Sequence, residues 1–371
     1  MPPKKLQNKK RQKKSINKVD NDKSSLPTIN ILSNDCLMKI FSYLPLEDRM
    51  RVERVCKRWQ TINQHAWIDI KKLEFPKDFQ QSYTKIRTCN RALQKILHRC
   101  GRSLNYCHNL LSLILPINTY SSSEVTWLFN RLHKIKSLEL FQLSRNFNTK
   151  CLKKLSMNTI TELSLSIEVF ECPDCWITMT EDGANAIRKM TNLWKLKLNT
   201  FLLTKKILAL ILQNESITHL SLKYCFLKKS FNLIPNFCRL KYLNLKYVEQ
   251  VDDDFLKKLS KCCTELEYLN VGDCWRITNQ GMTAVSELKN LTTLMMCSLN
   301  FVTDVVLRKF EFLKVLFCND CDKFTEAGII QFLQNAPYLE KINLQSFIIE
   351  VDDWKFNMDD SNLSYHIEFD D

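Results

Sequence analysis

The feature that most restricts how this chain folds is a short apolar template, L-x-x-L-x-L, that returns ten times at nearly even spacing. It stands at Leu110-Leu113-Leu115, Ile135-Leu138-Leu140, Ile160-Leu163-Leu165, Leu193-Leu196-Leu198 and Ile217-Leu220-Leu222. It returns at Leu240-Leu243-Leu245, Leu266-Leu269-Val271, Leu291-Leu294-Met296, Leu313-Leu316-Cys318 and Leu339-Ile342-Leu344. Successive starts lie 25, 25, 33, 24, 23, 26, 25, 22 and 26 residues apart. The spacing of two between the last two template positions is the period of a strand. Segments of helical period fill the intervals, as at 204–213, 254–261 and 327–334. A unit of one strand and one helix cannot bury its apolar face alone, so neighbouring units must stack. The pattern predicts an α/β fold, a curved solenoid wound as a right-handed β-α superhelix, strands inside and helices outside. The first repeat reads equally well from Leu104.

Cysteine placement narrows the repeat type. Cys225, Cys274 and Cys321 each stand eight residues after a template start. Ile277-Thr278-Asn279, Val302-Thr303-Asp304 and Phe324-Thr325-Glu326 sit where the chain turns into a helix. In these features the region resembles the leucine-rich repeat in its cysteine-containing variety; repeats before about residue 190 fit the cysteine pattern less well. The long step of 33 marks an insertion at 171–183, which carries the pair Cys172 and Cys175. With Cys318 and Cys321 these make two CxxC pairs. They lie several repeats apart and Cys318 occupies an inward template position, so neither metal nor cofactor is expected.

Ahead of the repeats, Leu37, Ile40, Phe41 and Leu44 form one helical stripe, and Pro45 ends that helix. A second stripe, Val52, Val55, Cys56 and Trp59, follows the acids Glu47 and Asp48. About 45 residues of short helices are too few for a sufficient core of their own. Leu32, Leu37, the run IFSYLP at 40–45, Asp48, the run VCKRW at 55–59 and Trp67 resemble the F-box. Ser33 stands where that family usually has proline, and Arg49 and Arg54 where it has leucines, which removes apolar contact from a docking face. The resemblance implies a grip on a Skp1-like adaptor through Leu32, Ile40, Leu44, Pro45, Met50 and Val52, with Val55, Cys56 and Trp59 left open between the adaptor and the repeats. Through that adaptor it implies a cullin–RING core, and hence the substrate-recognition subunit of an SCF-type ubiquitin ligase rather than an enzyme. The expected domains are a disordered basic tail at 1–28, the F-box at 29–75, a helical linker at 76–103, repeats at 104–349 and an acidic tail at 350–371.

Composition closes off other classes. Only five glycines occur, and neither GxGxxG nor GxxxxGK[ST] can be written from them. The six histidines are scattered, without HExxH or GxSxG. No apolar run approaches the ~20 residues of a membrane span, so a cytoplasmic or nuclear protein with reduced cysteines is expected. The net charge of +14 is uneven: residues 1–28 hold nine Lys/Arg against two acids, and 350–371 hold eight acids against one lysine. The basic block at 9–14 suits nuclear import or a solvated tail. Strand alternation turns template positions 3, 5 and 7 to the concave side. In the central repeats these are Lys195, Lys197, His219, Lys223, Tyr242, Lys246 and Tyr268, with Asn and Ser between them. Aromatics among lysines suit an acidic or phosphorylated protein segment. A scaffold that directs no ubiquitination, and a nuclear nucleic-acid-associated repeat protein, are the competing readings, nucleic acid being the least favoured.

Overall fold

The computed structural model describes residues 29–66, 70–74, 109–117, 120–144, 146–167, 176–228, 238–344 and 366–367. The basic tail, the linker helix, Trp67, Cys172, Cys175 and most of the acidic tail lie outside these residues. The chain divides into two compact units between Asn63 and Gln64, each described by itself.

In the first unit a 3-10 turn at Ile29–Ile31 leads into α1 (Asn34–Tyr43), α2 (Leu46–Val52) and α3 (Lys57–Ala66). Ser33, the residue in place of proline, caps α1 by accepting from the Cys36 amide at 3.2 Å. Leu44 is extended before Pro45, as a pre-proline residue must be. Arg49 closes the far end of α1, its guanidinium donating to the carbonyls of Leu44 (3.0 Å) and Ser42. Arg58 holds the entering strand of chain through Asn34 Oδ1 (3.0 Å) and the carbonyls of Asn30 (2.7 Å) and Leu32 (2.6 Å). The second predicted stripe is not one helix: α2 ends at Val52 and α3 begins at Lys57. The buried amide of Asn63 is the reason, since it donates to both the Arg49 carbonyl (2.7 Å) and the Glu53 carboxylate (3.0 Å), pinning the corner.

The second unit is built on a parallel sheet of twelve strands in the order β1-β2-β3-β4-β6-β8-β10-β11-β12-β13-β14-β15. The strands are β1 (Lys72–Glu74), β2 (Ser112–Pro116), β3 (Ser137–Phe141), β4 (Glu162–Ser166), β6 (Lys195–Asn199) and β8 (His219–Ser221), followed by β10 (Tyr242–Asn244), β11 (Tyr268–Asn270), β12 (Thr293–Met295), β13 (Val315–Phe317), β14 (Lys341–Asn343) and β15 (His366–Ile367). A second parallel sheet joins β5 (Ile177–Thr178), β7 (Phe201–Thr204) and β9 (Phe226–Lys228). Ser112 pairs with Ser137 and Leu113 with Leu138, so the first repeat starts at Leu110. The stretch read as the end of the helical module supplies β1, which pairs with β2. Within the stretch read as an insertion, residues 177–178 form β5 and residues 181–183 begin the helix Glu181–Arg188.

All template side chains are at most 5% exposed, which places the core between the sheet and the helices. Three recurring devices stack the repeats. Eight positions into the template, Gln142, Thr200, Tyr224, Tyr247, Asp273, Ser298 and Asp320 all take φ between 53° and 67°. This left-handed turn swings the chain out of the strand while its amide still reaches the next repeat, as from Tyr247 to the Gly272 carbonyl at 2.9 Å. One residue later the repeat cysteine donates backwards, Cys225 to the Leu198 carbonyl (2.9 Å), Cys274 to Leu245 (3.3 Å) and Cys321 to Met296 (3.2 Å). At the helix start a polar side chain caps the following repeat. Asp253 accepts from the Thr278 amide (2.8 Å) and hydroxyl (2.6 Å), Asn279 accepts from the Thr303 amide (2.8 Å), and Asp304 accepts from the Thr325 amide (2.9 Å).

Candidate functional site: two interaction surfaces

In the helical unit, the stripe read as one face divides. Leu37 and Phe41 are buried, and Phe41 meets Trp59 at 5.2 Å between ring centroids. Ile40 stays 39% exposed and Tyr43 75% exposed, with Leu44 half-buried and Pro45 exposed beside them. Leu32 and Val52 are half-buried; the Met50 side chain lies outside the described set. Val55 and Cys56 are exposed, whereas Trp59 is turned against Phe41. Tyr43 was missed by the sequence reading, although it stands three residues from Ile40 on the same helix. A helix that keeps Leu37 and Phe41 for itself and leaves Ile40, Tyr43 and Pro45 exposed, with Leu44 half-buried between them, has an apolar face to offer a partner. Arg49, half-buried at the corner, serves the backbone rather than that face.

In the repeat unit, strand register sorts the predicted residues into rows. Lys195, His219, Tyr242 and Tyr268 lie opposite one another on β6, β8, β10 and β11. Lys197 begins the next row, with Ser221, Asn244 and Asn270. Lys223 and Lys246 follow the strand ends. The first row is stacked: Trp194 meets His219 edge-on at 4.7 Å, His219 lies parallel to Tyr242 at 5.8 Å, and Tyr242 lies parallel to Tyr268 at 4.0 Å. A depression of about 180 Å³ opens among Lys195, Lys197, His219, Ser221 and Tyr242.

Electrostatics divides the lysines. Lys195 reaches Glu162 at 3.6 Å and Lys246 reaches Asp273 at 3.2 Å. Burial disfavours the Lys246 charge, but Asp273 outweighs it and the ammonium is held above its usual range. Lys223 lies 4.8 Å over the Tyr224 ring. Lys197 has no ion partner among the described residues. Burial, then the Lys195 charge, pushes the His219 imidazole down, so near pH 7 it is neutral. Its Nδ1 lies 2.9 Å from the Thr218 hydroxyl. Burial and the Tyr242 hydrogen bond push the Tyr268 phenol up, and its hydroxyl donates to Met295 Sδ at 2.7 Å. The pairing was readable in part, since Glu162 occupies the same template position as Lys195 one repeat earlier. Asp273 lies in the turn, outside the face that alternation predicts.

No group of three or more His, Cys, Asp or Glu side chains that could hold a metal occurs among the described residues. Cys318 and Cys321 are buried thiols pushed up by burial, and Cys321 reaches about 11. No described helix is long and apolar enough to cross a membrane.

A split apolar helical unit and a repeat sheet with an open face resemble the F-box/leucine-rich-repeat arrangement, two surfaces suited to protein interaction. The F-box-like family matches residues 34–70. Over 43 residues the chain is 42% identical to F-box/LRR-repeat protein 12 of Homo sapiens and, equally, of Mus musculus. That match covers 12% of this chain and 13% of the relative's length. In fold, a chain of the crystal structure of the Rad7 and Elc1 complex in yeast is similar, with a TM-score of 0.50 and 16% identity, covering 72% of this chain and 71% of that one. Internalin F of Listeria monocytogenes aligns at a TM-score of 0.46 and 15% identity, covering 86% and 88%.

Proposed function

We propose that this chain is a substrate-recognition subunit of an SCF-type ubiquitin ligase. Ile40, Leu44 and Pro45, with Leu32, Met50 and Val52, grip a Skp1-like adaptor, and the central sheet face holds an acidic or phosphorylated target protein. The observation that carries the reading is the division of α1 inside the F-box-like match, with Leu37 and Phe41 inward and Ile40 left uncovered. An exposed apolar helix face of that kind is stabilised by a partner helix. The repeat unit adds a second, chemically different face. The stacked row supports an anionic target: rings that cover one another's faces present their edges, which carry the positive part of the quadrupole. Lys197 and Lys223 add charge to the same side. The chain contributes proximity, holding a target lysine near the ubiquitin carrier rather than performing bond chemistry.

Co-purification of the full chain with a Skp1-like adaptor and a cullin tests this. Wild type is expected to retain both, Ile40→Asp to lose both, and Lys197→Glu to keep both while losing target. Adaptor without cullin would reduce the assignment to a scaffold, and no adaptor binding at high micromolar concentration would overturn it.

A further inference from the structure

A second aromatic ladder runs along the same three repeats as the His219–Tyr242–Tyr268 row, at the opposite ends of the strands. Tyr224 and Tyr247 occupy the left-handed turn position of consecutive repeats, φ 59° in each, and their rings meet at 5.3 Å. Trp275, from the third repeat, meets Tyr247 edge-on at 5.9 Å. Every other residue observed in this turn is Asp, Ser, Gln or Thr, and a bulky ring in left-handed backbone is costly. Burial does not repay that cost at Tyr247, which is 46% exposed; Trp275, two residues past the turn residue Asp273, is 42% exposed. Strain kept at exposed aromatics is the mark of a binding element.

The two ladders differ in what they present. The stacked row has used its ring faces, and offers edges. The turn ladder meets at tilted and perpendicular angles; Lys223 covers a face of Tyr224, while the exposed rings of Tyr247 and Trp275 are offered to an apolar or aromatic side chain. Between them lies a floor of Ser221, Asn244 and Asn270, with Lys223 and Lys246 beside the turn. In the first two of these repeats the two rings are five residues apart, His219 to Tyr224 and Tyr242 to Tyr247, a span of up to about 16 Å at strand rise, and in the third, Tyr268 to Trp275, seven.

We propose that the two ladders are the ends of one track, running along the strands rather than across them. Its occupant is an extended segment of a partner protein with acidic residues over the stacked row and lysines, and an aromatic anchor about five residues away on Tyr224, Tyr247 and Trp275. The inference rests on the target-binding reading above and refines it: acidity alone is not sufficient for recognition. Lysines on both sides of the track argue against a cationic occupant. In the row His219–Tyr242–Tyr268, rings already stacked on one another leave no faces for successive nucleic-acid bases.

Selection of a random displayed peptide library on the full-length protein tests the proposal. Wild type is expected to enrich peptides pairing Asp or Glu with Trp, Phe or Tyr at a spacing of about five. Trp275→Ala and Tyr247→Ala, exposed changes whose thermal melts should match wild type, are expected to weaken an enriched peptide about tenfold. Both variants should keep acidic preference while dropping the aromatic. Lys197→Glu with Lys223→Glu should do the converse. Enrichment of acidic peptides without an aromatic overturns the track and leaves the acidic-target reading standing. Aromatic peptides without acids overturn that reading, and no enrichment overturns both. Preferential, salt-sensitive binding of an oligothymidylate that displaces the peptides would assign the surface to nucleic acid instead.

Discussion

Gly281 shows how tightly the repeats approach one another. It is the third residue of the helix Asn279–Val285, its amide donates to Asp253 Oδ1 at 3.0 Å, and a Cβ there would stand 2.4 Å from that oxygen. Gly183 and Gly328 hold the equivalent place in their helices and face Thr149 and Asp304 as closely. Three of the five glycines are thus explained by contact with the preceding repeat, not by turns. Gly281→Ala is expected to lower stability by about 2 kcal/mol, read as a shift in the urea midpoint. Combining it with Asp253→Ala should cost less than the two single changes summed, because both act on one contact. Additive effects would show that the close approach is not the cause. The roles of the glycines were hidden in the sequence because they depend on a side chain some 28 residues away, while the threonines at 278, 303 and 325 were visible as a turn motif.

At the scale of the element, the repeat cysteines act as short apolar plugs with one donor. Burial pushes the thiols of Cys225 and Cys274 from near 9 up to about 12, against weaker opposing backbone hydrogen bonds. A raised folded value means that the fold holds the proton more tightly than the unfolded chain. Their stabilisation is therefore complete below about pH 9 and is lost as pH climbs from there towards 12, by up to about 1.4 kcal/mol per unit for each thiol. Urea melts between pH 8 and 10.5 should show that decline, and Cys225→Ser with Cys274→Ser should flatten it. An unchanged slope would place the alkaline sensitivity elsewhere. The position of these cysteines was readable from spacing alone. Their backward hydrogen bonds were not, because the acceptor carbonyls belong to the previous repeat.

Across the whole molecule, the repeat unit behaves as a one-dimensional array in which each strand bonds only to its two neighbours. Amide exchange should be slowest in β8, β10, β11 and β12 and fastest at β1 and at β15, which pairs with β14 through only two residues. Uniform protection from end to end would contradict this picture and indicate a single cooperative block. Residues 366–367, within the stretch read as the acidic tail, pair with β14 of the last repeat, five strands along from β10.

Periodicity determined most of the architecture, because a template repeated ten times leaves one way to bury its apolar face: strand beside strand, with helices behind. Local chemistry likewise determined the F-box-like helices and the residues lining the central face. What only the tertiary structure decided was pairing between units distant in sequence. Glu162 pairs with Lys195 and Asp273 with Lys246, Asn63 breaks the second helical stripe, and a left-handed turn brings Tyr224 and Tyr247 into a ladder that Trp275 joins. Each depends on where one repeat or corner sets down against another, and that is fixed by packing distances a few ångströms wide that no single stretch of sequence encodes.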